Sequence, residues 1–424
     1  MNEKLRSFSE YVKGKKVGVL GVGVTNIPIL KLLLKCGARP VARDRNPDVS
    51  KLVTDLGEIE LKLGEHYLDD MDEEILFKTP GIRYDIPALC KARENGCIVT
   101  SEMEVFFEIC PARIIAVTGS DGKTTTTNII ERILARAGYR TILGGNIGKN
   151  VLGEIEHISK EDIVVLEMSS FQLQTMKKSP QIAVITNISP NHLDWHTDMA
   201  EYIAAKENIV RYQKPGDLAV LNADNPLTSA FQNSAGGDVR MFSYTEEIPE
   251  GVYQKDGVIW YHGKEILKTE DIAIVGRHNV ENYMAAIAAV YDLVSVEDIR
   301  YTAKNFSGVE HRIEFVREKD GVRYYNDSIA TTPTRTIAGL TAFTRKVILI
   351  AGGYDKKIPF EPLTEPIAKH VKNLILLGQT APLLKRAAEA ASADAPVIDV
   401  CDTFEEAVEL AHRYAQFGDI VLLS

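Results

Sequence analysis

The chain has 424 residues, 45% of them hydrophobic and 25% charged, with a net charge of −10; that length fits roughly two to four domains with sizeable cores. The acidic balance and the lack of a long Lys/Arg run argue against a broad nucleic-acid footprint, and no run reaches the ~18 apolar residues of a membrane-spanning helix. Five cysteines (Cys36, Cys90, Cys97, Cys110, Cys401) form no CxxC pair, and the N-terminal "MNEKLRSFSEYVKGKK" has no apolar signal core, so the expectation is a cytoplasmic α/β protein with reduced thiols and no membrane insertion.

Short β-branched runs alternate with helical patterns from the start. "KKVGVLG" (15–21) reads as a buried strand, "IPILKLLLKCG" (27–37) as a helix and "RPVARD" (39–44) as the next strand. "EILFKTPGI" (74–82) reads as a strand ending in a Thr-Pro-Gly turn. This rhythm predicts a parallel sheet with helices on its faces. The turn "VGVLGVGVTN" holds Gly21-x-Gly23-x-x-Asn26, with Asp44 downstream. That is two thirds of a dinucleotide fingerprint, and taken alone it admits either an NAD-binding domain or an ordinary βα turn.

The rhythm restarts at "RIIAVTGS" (113–120), followed by the strands "DIVVLEMSS" (162–170), "QIAVITNIS" (181–189) and "DLAVLNAD" (217–224). Around 240–275 the texture changes. "VRMFSYTEE", "GVYQKDGVIWYHGKEIL" and "IAIVG" read as antiparallel hairpins turning at Lys255-Asp256-Gly257 and His262-Gly263. A helix "NVENYMAAIAAVYDLV" (279–294) closes this part. A third α/β stretch carries "YYNDSIATTPTRTIAGL", "KVILIAGGYDKK", "NLILLG", "APVIDV" and "DIVLLS". Domain boundaries fall near 100 and 306, and no internal repeat stands out.

The strongest chemical signal is "AVTGSDGKTTTTNII" (116–130). Its pattern, Gly119-x-x-Gly122-Lys123-Thr124, is shorter than G-x4-G-K-[ST], whose first glycine would fall on Val117. The mechanism survives the shortening. A glycine turn between strand and helix lets backbone N–H groups converge on phosphate oxygens. Lys123 adds a point charge, and the Thr124 or Thr125 hydroxyl can ligate Mg²⁺. The competing reading is an ordinary βα turn capped by Asp121. Glu167 ends one following strand, and Asn187, Ser189 and His192 follow another. If those strands flank the loop strand, a carboxylate, a histidine and hydroxyls meet in an oxygen-rich Mg²⁺-triphosphate site.

"TGSDGKTTT", "LEMSSFQL", "TNISPNHLDWH", "YIAAKENI", "GRHNVENYMAAIA", "HRIEFV" and "NDSIAT", in this order, resemble the Mur ligases of peptidoglycan synthesis from about residue 15 to the end of the chain. The resemblance implies three α/β domains. These are a Rossmann-like UDP-substrate-binding domain (1–100), a P-loop ATPase-like domain with a small antiparallel sheet (101–306) and a Rossmann-like amino-acid-binding domain (307–424) whose last part is absent. Within the family, "SSFQL" and "NHLDWH" point to the ATP-dependent ligase that adds D-glutamate to UDP-N-acetylmuramoyl-L-alanine through an acyl phosphate.

The same resemblance implies Lys123, His192 and Lys206 as the catalytic set, with Thr124, Glu167, His192 and Lys206 around two Mg²⁺ ions. Lys206 would be carbamylated, although by itself "AAKENI" reads as holding a solvated helix lysine. Gly119, Ser120, Asp121, Gly122, Lys123, Thr124, Thr125, Asn279, Asn282, Arg312 and Asp327 would serve ATP. Val24, Thr25, Asp44, Gly81 and Asn146 would hold the UDP substrate, and Lys356 the D-glutamate. A cytoplasmic monomer with no nucleic-acid partner is expected.

Three departures from the family pattern stand out. Ile329 replaces a lysine frequent after "NDS", with Arg335 or Lys357 as the nearby compensating charge. Asp121 replaces a frequent asparagine, with little effect expected. The chain stops at "DIVLLS" where family members continue, which implies an incomplete amino-acid pocket and weakened or absent D-glutamate ligation. Three alternatives stay open at this level: an NAD-dependent oxidoreductase, a catalytically silent nucleotide-binding protein, and a sister ligase of Mur or folylpolyglutamate type.

Overall fold

The computed structural model of the protein describes all residues except 1, 24, 25, 149, 192–194, 356–358 and 392–394, and the side chain of Thr334. The chain divides into two compact units, one of Met1–Lys268 with Glu281–Thr302, the other of Thr269–Val280 with Ala303–Ser424. Between them they hold three sheets.

The first sheet has five parallel strands: β1 (Lys16–Leu20), β2 (Arg39–Asp44), β3 (Glu60–Leu63), β4 (Ile75–Lys78) and β5 (Ile98–Thr100). Their order is β3-β2-β1-β4-β5. Four consecutive residues of β1 are buried, as expected of a strand covered on both faces. The helix Ile27–Lys35 carries Pro28 in its first turn and buries Ile29, Leu30, Leu32 and Leu33 against this core. The Arg43 and Glu73 side chains are fully buried and paired at 2.6 Å. Arg43 Nη1 also donates to the carbonyls of Tyr67 and Asp69, so one guanidinium pins the loop leading into β4.

The second sheet has nine strands: β6 (Arg113–Thr118), β7 (Thr141–Gly145), β8 (Ile163–Glu167), β9 (Ile182–Ile185), β10 (Leu218–Asn222), β11 (Asp238–Ser243), β12 (Val252–Lys255), β13 (Val258–Tyr261) and β14 (Lys264–Lys268). Their order is β14-β13-β12-β11-β10-β9-β6-β8-β7.

Three expectations are corrected here. "VRMFS" forms no hairpin: β11 pairs in parallel with both β10 and β12. The short helical turns Pro226–Ser229 and Ala230–Asn233 carry the chain back before β11, which is the crossover a parallel neighbour requires. The antiparallel ribbon β12–β14 is the edge of the large sheet, not a sheet of its own. "IAIVG" is no strand: Ile272 and Ile274 are buried, but the Ala273 N–H bonds to the carbonyl of Ala303, in the last turn of the helix Val296–Asn305. The two ribbon turns do fall where glycine and polar residues mark them. Asp256, Gly257, His262 and Gly263 all have positive φ, the backbone of two-residue hairpins.

The third sheet lies in the second unit. It comprises β15 (Glu314–Lys319), β16 (Val322–Asn326), β17 (Val347–Gly352), β18 (Val371–Leu377), β19 (Val397–Val400) and β20 (Ile420–Leu423). The order is β15-β16-β20-β17-β18-β19, with only β15–β16 antiparallel. Among the described residues no helix is long and apolar enough to cross a membrane.

Candidate active site

Strand order brings the candidate phosphate loop and its partners together. β6 lies between β8 and β9, so Glu167, Thr186 and Asn187 emerge beside the loop at the carboxyl ends of adjacent strands, where parallel sheets collect ligands. The loop backbone is tied to that neighbour. Ser120 N–H bonds to Asn187 O at 2.8 Å, and Asp121 N–H to Asn187 Oδ1 at 3.0 Å. The Thr186 hydroxyl donates to Asp121 O at 2.6 Å.

Both loop glycines are required. Gly119 has φ 149° and its missing Cβ would lie 2.0 Å from Thr186 Oγ1. Gly122 has φ 78° and its Cβ would lie 2.4 Å from Asn282 Oδ1. The reading of an ordinary turn capped by Asp121 is corrected here. Gly122 is the N-cap of the helix Lys123–Arg136, and no side chain caps that end. The first-turn N–H groups keep their capacity for an anion.

Around the loop sit the ionisable groups. Glu167, almost fully buried, accepts from Thr124 Oγ1 at 2.6 Å and from Asn146 Nδ2 at 2.7 Å. Lys206 is 2% exposed and donates to Gly119 O at 2.8 Å and Thr118 Oγ1 at 3.2 Å. Lys123 donates to the same Gly119 oxygen at 3.0 Å and to Ser120 O at 2.9 Å. Burial first, and then the charge of Lys123, hold the Lys206 amine well below the usual lysine range. Thr126 Oγ1 donates to Asn282 Oδ1 at 3.1 Å, and Thr125 is buried behind the loop.

Sequence reading missed two members of this shell. Thr186 directly follows β9 and latches the loop. Tyr202 lies one helical turn before Lys206: its hydroxyl is 2.9 Å from Ser120 Oγ, and its ring centroid 4.8 Å from Lys206 Nζ. The i, i+4 spacing in "YIAAK" was the available signal.

The first-sheet candidates form a second group. Asp44 accepts from the N–H groups of Val22 and Asn46, each at 2.7 Å. Gly21 packs on Thr79, whose Cγ2 would be 2.9 Å from an added Cβ; Gly81 follows two residues later, with open space at its Cα. The glycine turn of β1 and the Thr-Pro-Gly turn of β4 therefore abut. Val24, Thr25, His192 and Lys356 lie outside the described residues, as does Lys357.

In the second unit, Asn279 Nδ2 donates to Val275 O at 2.7 Å. Arg312 forms a β-bridge with Val309. Asp327 is buried, accepts from the Ile313 N–H at 3.1 Å, and burial pushes its carboxyl up to about 6. Arg335 Nη1 donates to the carbonyl of Ile329 at 3.3 Å, which puts one cation at the departure from the family pattern.

Among the described residues no group of three His, Cys, Asp or Glu side chains is arranged to hold a metal ion. The donors beside the loop are the Thr124 hydroxyl and the Glu167 carboxylate, both oxygen. That set suits Mg²⁺, which takes one or two protein oxygens and completes its shell with phosphate and water.

Residues 117–290 match the Mur ligase middle domain, and residues 311–424 match the Mur ligase glutamate ligase domain. The UDP-N-acetylmuramoylalanine–D-glutamate ligase of Acetivibrio thermocellus is 52% identical over 440 residues, covering 100% of this chain and 94% of that protein. The protein of the same name from Clostridium kluyveri is 50% identical, again over 100% and 94%. Among solved structures, the UDP-N-acetylmuramate–alanine ligase of Thermotoga maritima matches with TM-score 0.61 at 20% identity, over 96% of this chain and 95% of that one. MurF of Acinetobacter baumannii matches with TM-score 0.60 at 18% identity, over 98% and 88%. The three-sheet architecture is thus shared at low identity, and with half of the residues identical along its whole length to such relatives, the chain belongs to the Mur ligase family.

Proposed function

We propose that this protein joins D-glutamate to UDP-N-acetylmuramoyl-L-alanine at the expense of ATP, as a cytoplasmic monomer in peptidoglycan synthesis. The relatives' shared name supports the substrate pair. The observation that carries the chemistry is the convergence of Lys123 and Lys206 on Gly119 O, beside the Thr124–Glu167 pair. Two anions, a carboxylate and a triphosphate, must meet for a carboxyl group to be activated, and the Lys123 ammonium together with a cation held at the Thr124 and Glu167 oxygens offsets that repulsion.

The substrate carboxylate attacks the γ-phosphorus of ATP and ADP leaves, which gives an acyl phosphate. The D-glutamate amine then attacks the acyl carbon. The tetrahedral species loses inorganic phosphate, and the amine proton passes to solvent or base. The first-turn N–H groups of the helix Lys123–Arg136 and the Lys123 side chain hold the phosphates. Thr124 and Glu167, joined by His192 and a carbamylated Lys206, would hold Mg²⁺, which supplies charge neutralisation at the phosphates. A neutral, buried Lys206 amine is the form that adds CO2, and the product anion removes the repulsion from Lys123. Asn279 and Asn282 serve the adenine, and Arg312 and Asp327 keep the ATP role of the family pattern. Asp44, Gly81, Asn146, Val24 and Thr25 hold the nucleotide sugar. Lys356, with Arg335, meets D-glutamate.

The test is phosphate release from Mg-ATP and UDP-N-acetylmuramoyl-L-alanine with a panel of amino acids. Release that requires D-glutamate is expected. Release with a different amino acid and none with D-glutamate overturns the substrate assignment. The oxidoreductase reading predicts tight NADH binding without ATP binding, and the same samples test it by titration.

A further inference from the structure

One guanidinium joins the carboxyl ends of the first and second sheets, and none of the recognised motifs contains it. Arg83 follows the Thr79-Pro80-Gly81 turn of β4. Asp85 grips its outer edge, accepting from Nε at 2.9 Å and Nη2 at 2.7 Å. Its inner edge reaches the second sheet's loops. Nη1 donates to Trp195 O at 2.6 Å, and the fork spans both carboxylate oxygens of Glu201 at 3.0 and 3.3 Å. The guanidinium carbon lies 5.1 Å from the Trp195 ring centroid. The turn is braced from behind, where Arg93 donates to Tyr84 O at 2.6 Å.

Glu201 is a junction. It also accepts from Gln174 Nε2 at 2.7 Å and from the Thr197 N–H at 2.5 Å. It stands in the first turn of the helix Met199–Arg211. On that helix, Tyr202 meets Ser120 and Lys206 meets Gly119 O. A rigid helix therefore carries the clasp at its start and two phosphate-loop contacts within the next turn. A part-exposed ion pair contributes at most about 1 kcal/mol to stability. Here the guanidinium donates to two carboxylates and a carbonyl at once, between the nucleotide-sugar turn and the helix of Lys206.

We propose that Arg83 is a positioning residue that couples nucleotide-sugar binding at the first sheet to the geometry of the phosphate loop, through Glu201 and the helix Met199–Arg211. This rests on the ligase reading above. Occupancy of the Thr79–Gly81 turn fixes Arg83, Arg83 fixes Glu201, and the helix then sets Tyr202 and Lys206 against the loop.

The experiment measures binding of a non-hydrolysable ATP analogue to the full chain, with and without saturating UDP-N-acetylmuramoyl-L-alanine, alongside steady-state kcat. In the unsubstituted protein the nucleotide sugar tightens the analogue by about tenfold, within the usual range of coupling between sites. Arg83→Met and Glu201→Gln each bring that factor to near one and lower kcat by about tenfold, while the analogue's own Kd moves less than about twofold; the double variant is no worse than either single one. Arg83→Lys keeps the charge but not the fork, and falls between. Should Arg83→Met fail to fold, Glu201→Gln and Arg83→Lys decide. The proposal is overturned by an unchanged coupling factor and kcat in the variants that fold, or by absence of coupling in an unsubstituted protein that ligates D-glutamate. Loss of the ligase reading shows separately, as no D-glutamate-dependent phosphate release from the unsubstituted protein.

Discussion

Lys123 and Lys206 donate to the same acceptor, the carbonyl oxygen of Gly119, at 3.0 and 2.8 Å. Two ammonium groups sharing one carbonyl repel each other in a low-dielectric site. The arrangement is relieved when the buried Lys206 is neutral or converted to an anion. Carbamylation does the second. Ligase activity is expected to fall when CO2 is stripped from the buffer and to return with bicarbonate. Lys206→Ala should lose about 10²–10³ in kcat, the scale for removing one electrostatic group from a site of this kind. A Lys206→Ala variant with unaltered kcat contradicts the role.

The Thr124–Glu167–Asn146 chain makes a separate prediction. Glu167→Gln keeps the shape but removes the carboxylate that accepts from the Thr124 hydroxyl and from Asn146. Metal dependence is the readout: the Mg²⁺ concentration for half-maximal phosphate release should rise about tenfold or more. An unchanged Mg²⁺ titration would remove Glu167 from the metal set.

Glu102 carries a pH effect. It begins the helix Glu102–Ile109, accepts from the Leu152 N–H at 3.5 Å, and burial pushes its carboxyl up to about 7 from an ordinary 4.5. The folded state therefore binds more protons than the unfolded chain between those values, and stability falls as pH rises through about 7. Relative to Glu102→Gln, the unsubstituted protein should lose roughly 2 kcal/mol between pH 5 and pH 8. Urea unfolding of both proteins across that range checks the sign. Parallel curves would show that the carboxyl does not titrate there.

The buried Arg43–Glu73 pair tests the first sheet. Removing one partner leaves a charge without its counter-ion in the core, so Glu73→Gln should destabilise the protein by about 3–5 kcal/mol. Replacing both residues by methionine should cost much less. Thermal or urea unfolding of the single and double variants distinguishes these outcomes.

Arg335 stands beside the departure at Ile329, with its Nη1 on that residue's carbonyl. If it supplies the charge that a lysine gives elsewhere in the family, Arg335→Ala raises the KM for D-glutamate about tenfold, the value of one charge-assisted contact. An unchanged KM assigns the compensation elsewhere.

Local features are legible in the order of residues alone. "AVTGSDGKTTTTNII" announces strand, glycine turn and helix, because glycine tolerance and helix initiation are decided within a few residues. The Asp256-Gly257 and His262-Gly263 turns were legible for the same reason. Features that depend on distant pairing emerge only in the folded chain. β11 follows a crossover that brings it parallel to β10, so its apolar pattern alone did not separate it from a hairpin strand. Lys206 reads as a solvated helix lysine in "AAKENI", yet the strands and loop around it leave it 2% exposed, and that burial holds its amine well below the usual lysine range. Glu167 faces Thr124 only because β8 pairs with β6. Arg83 and Glu201 are 118 residues apart, and no periodicity reports such a contact. Backbone preference acts over a turn or two, whereas burial and charge pairing are set by which strands and loops the folded chain places side by side.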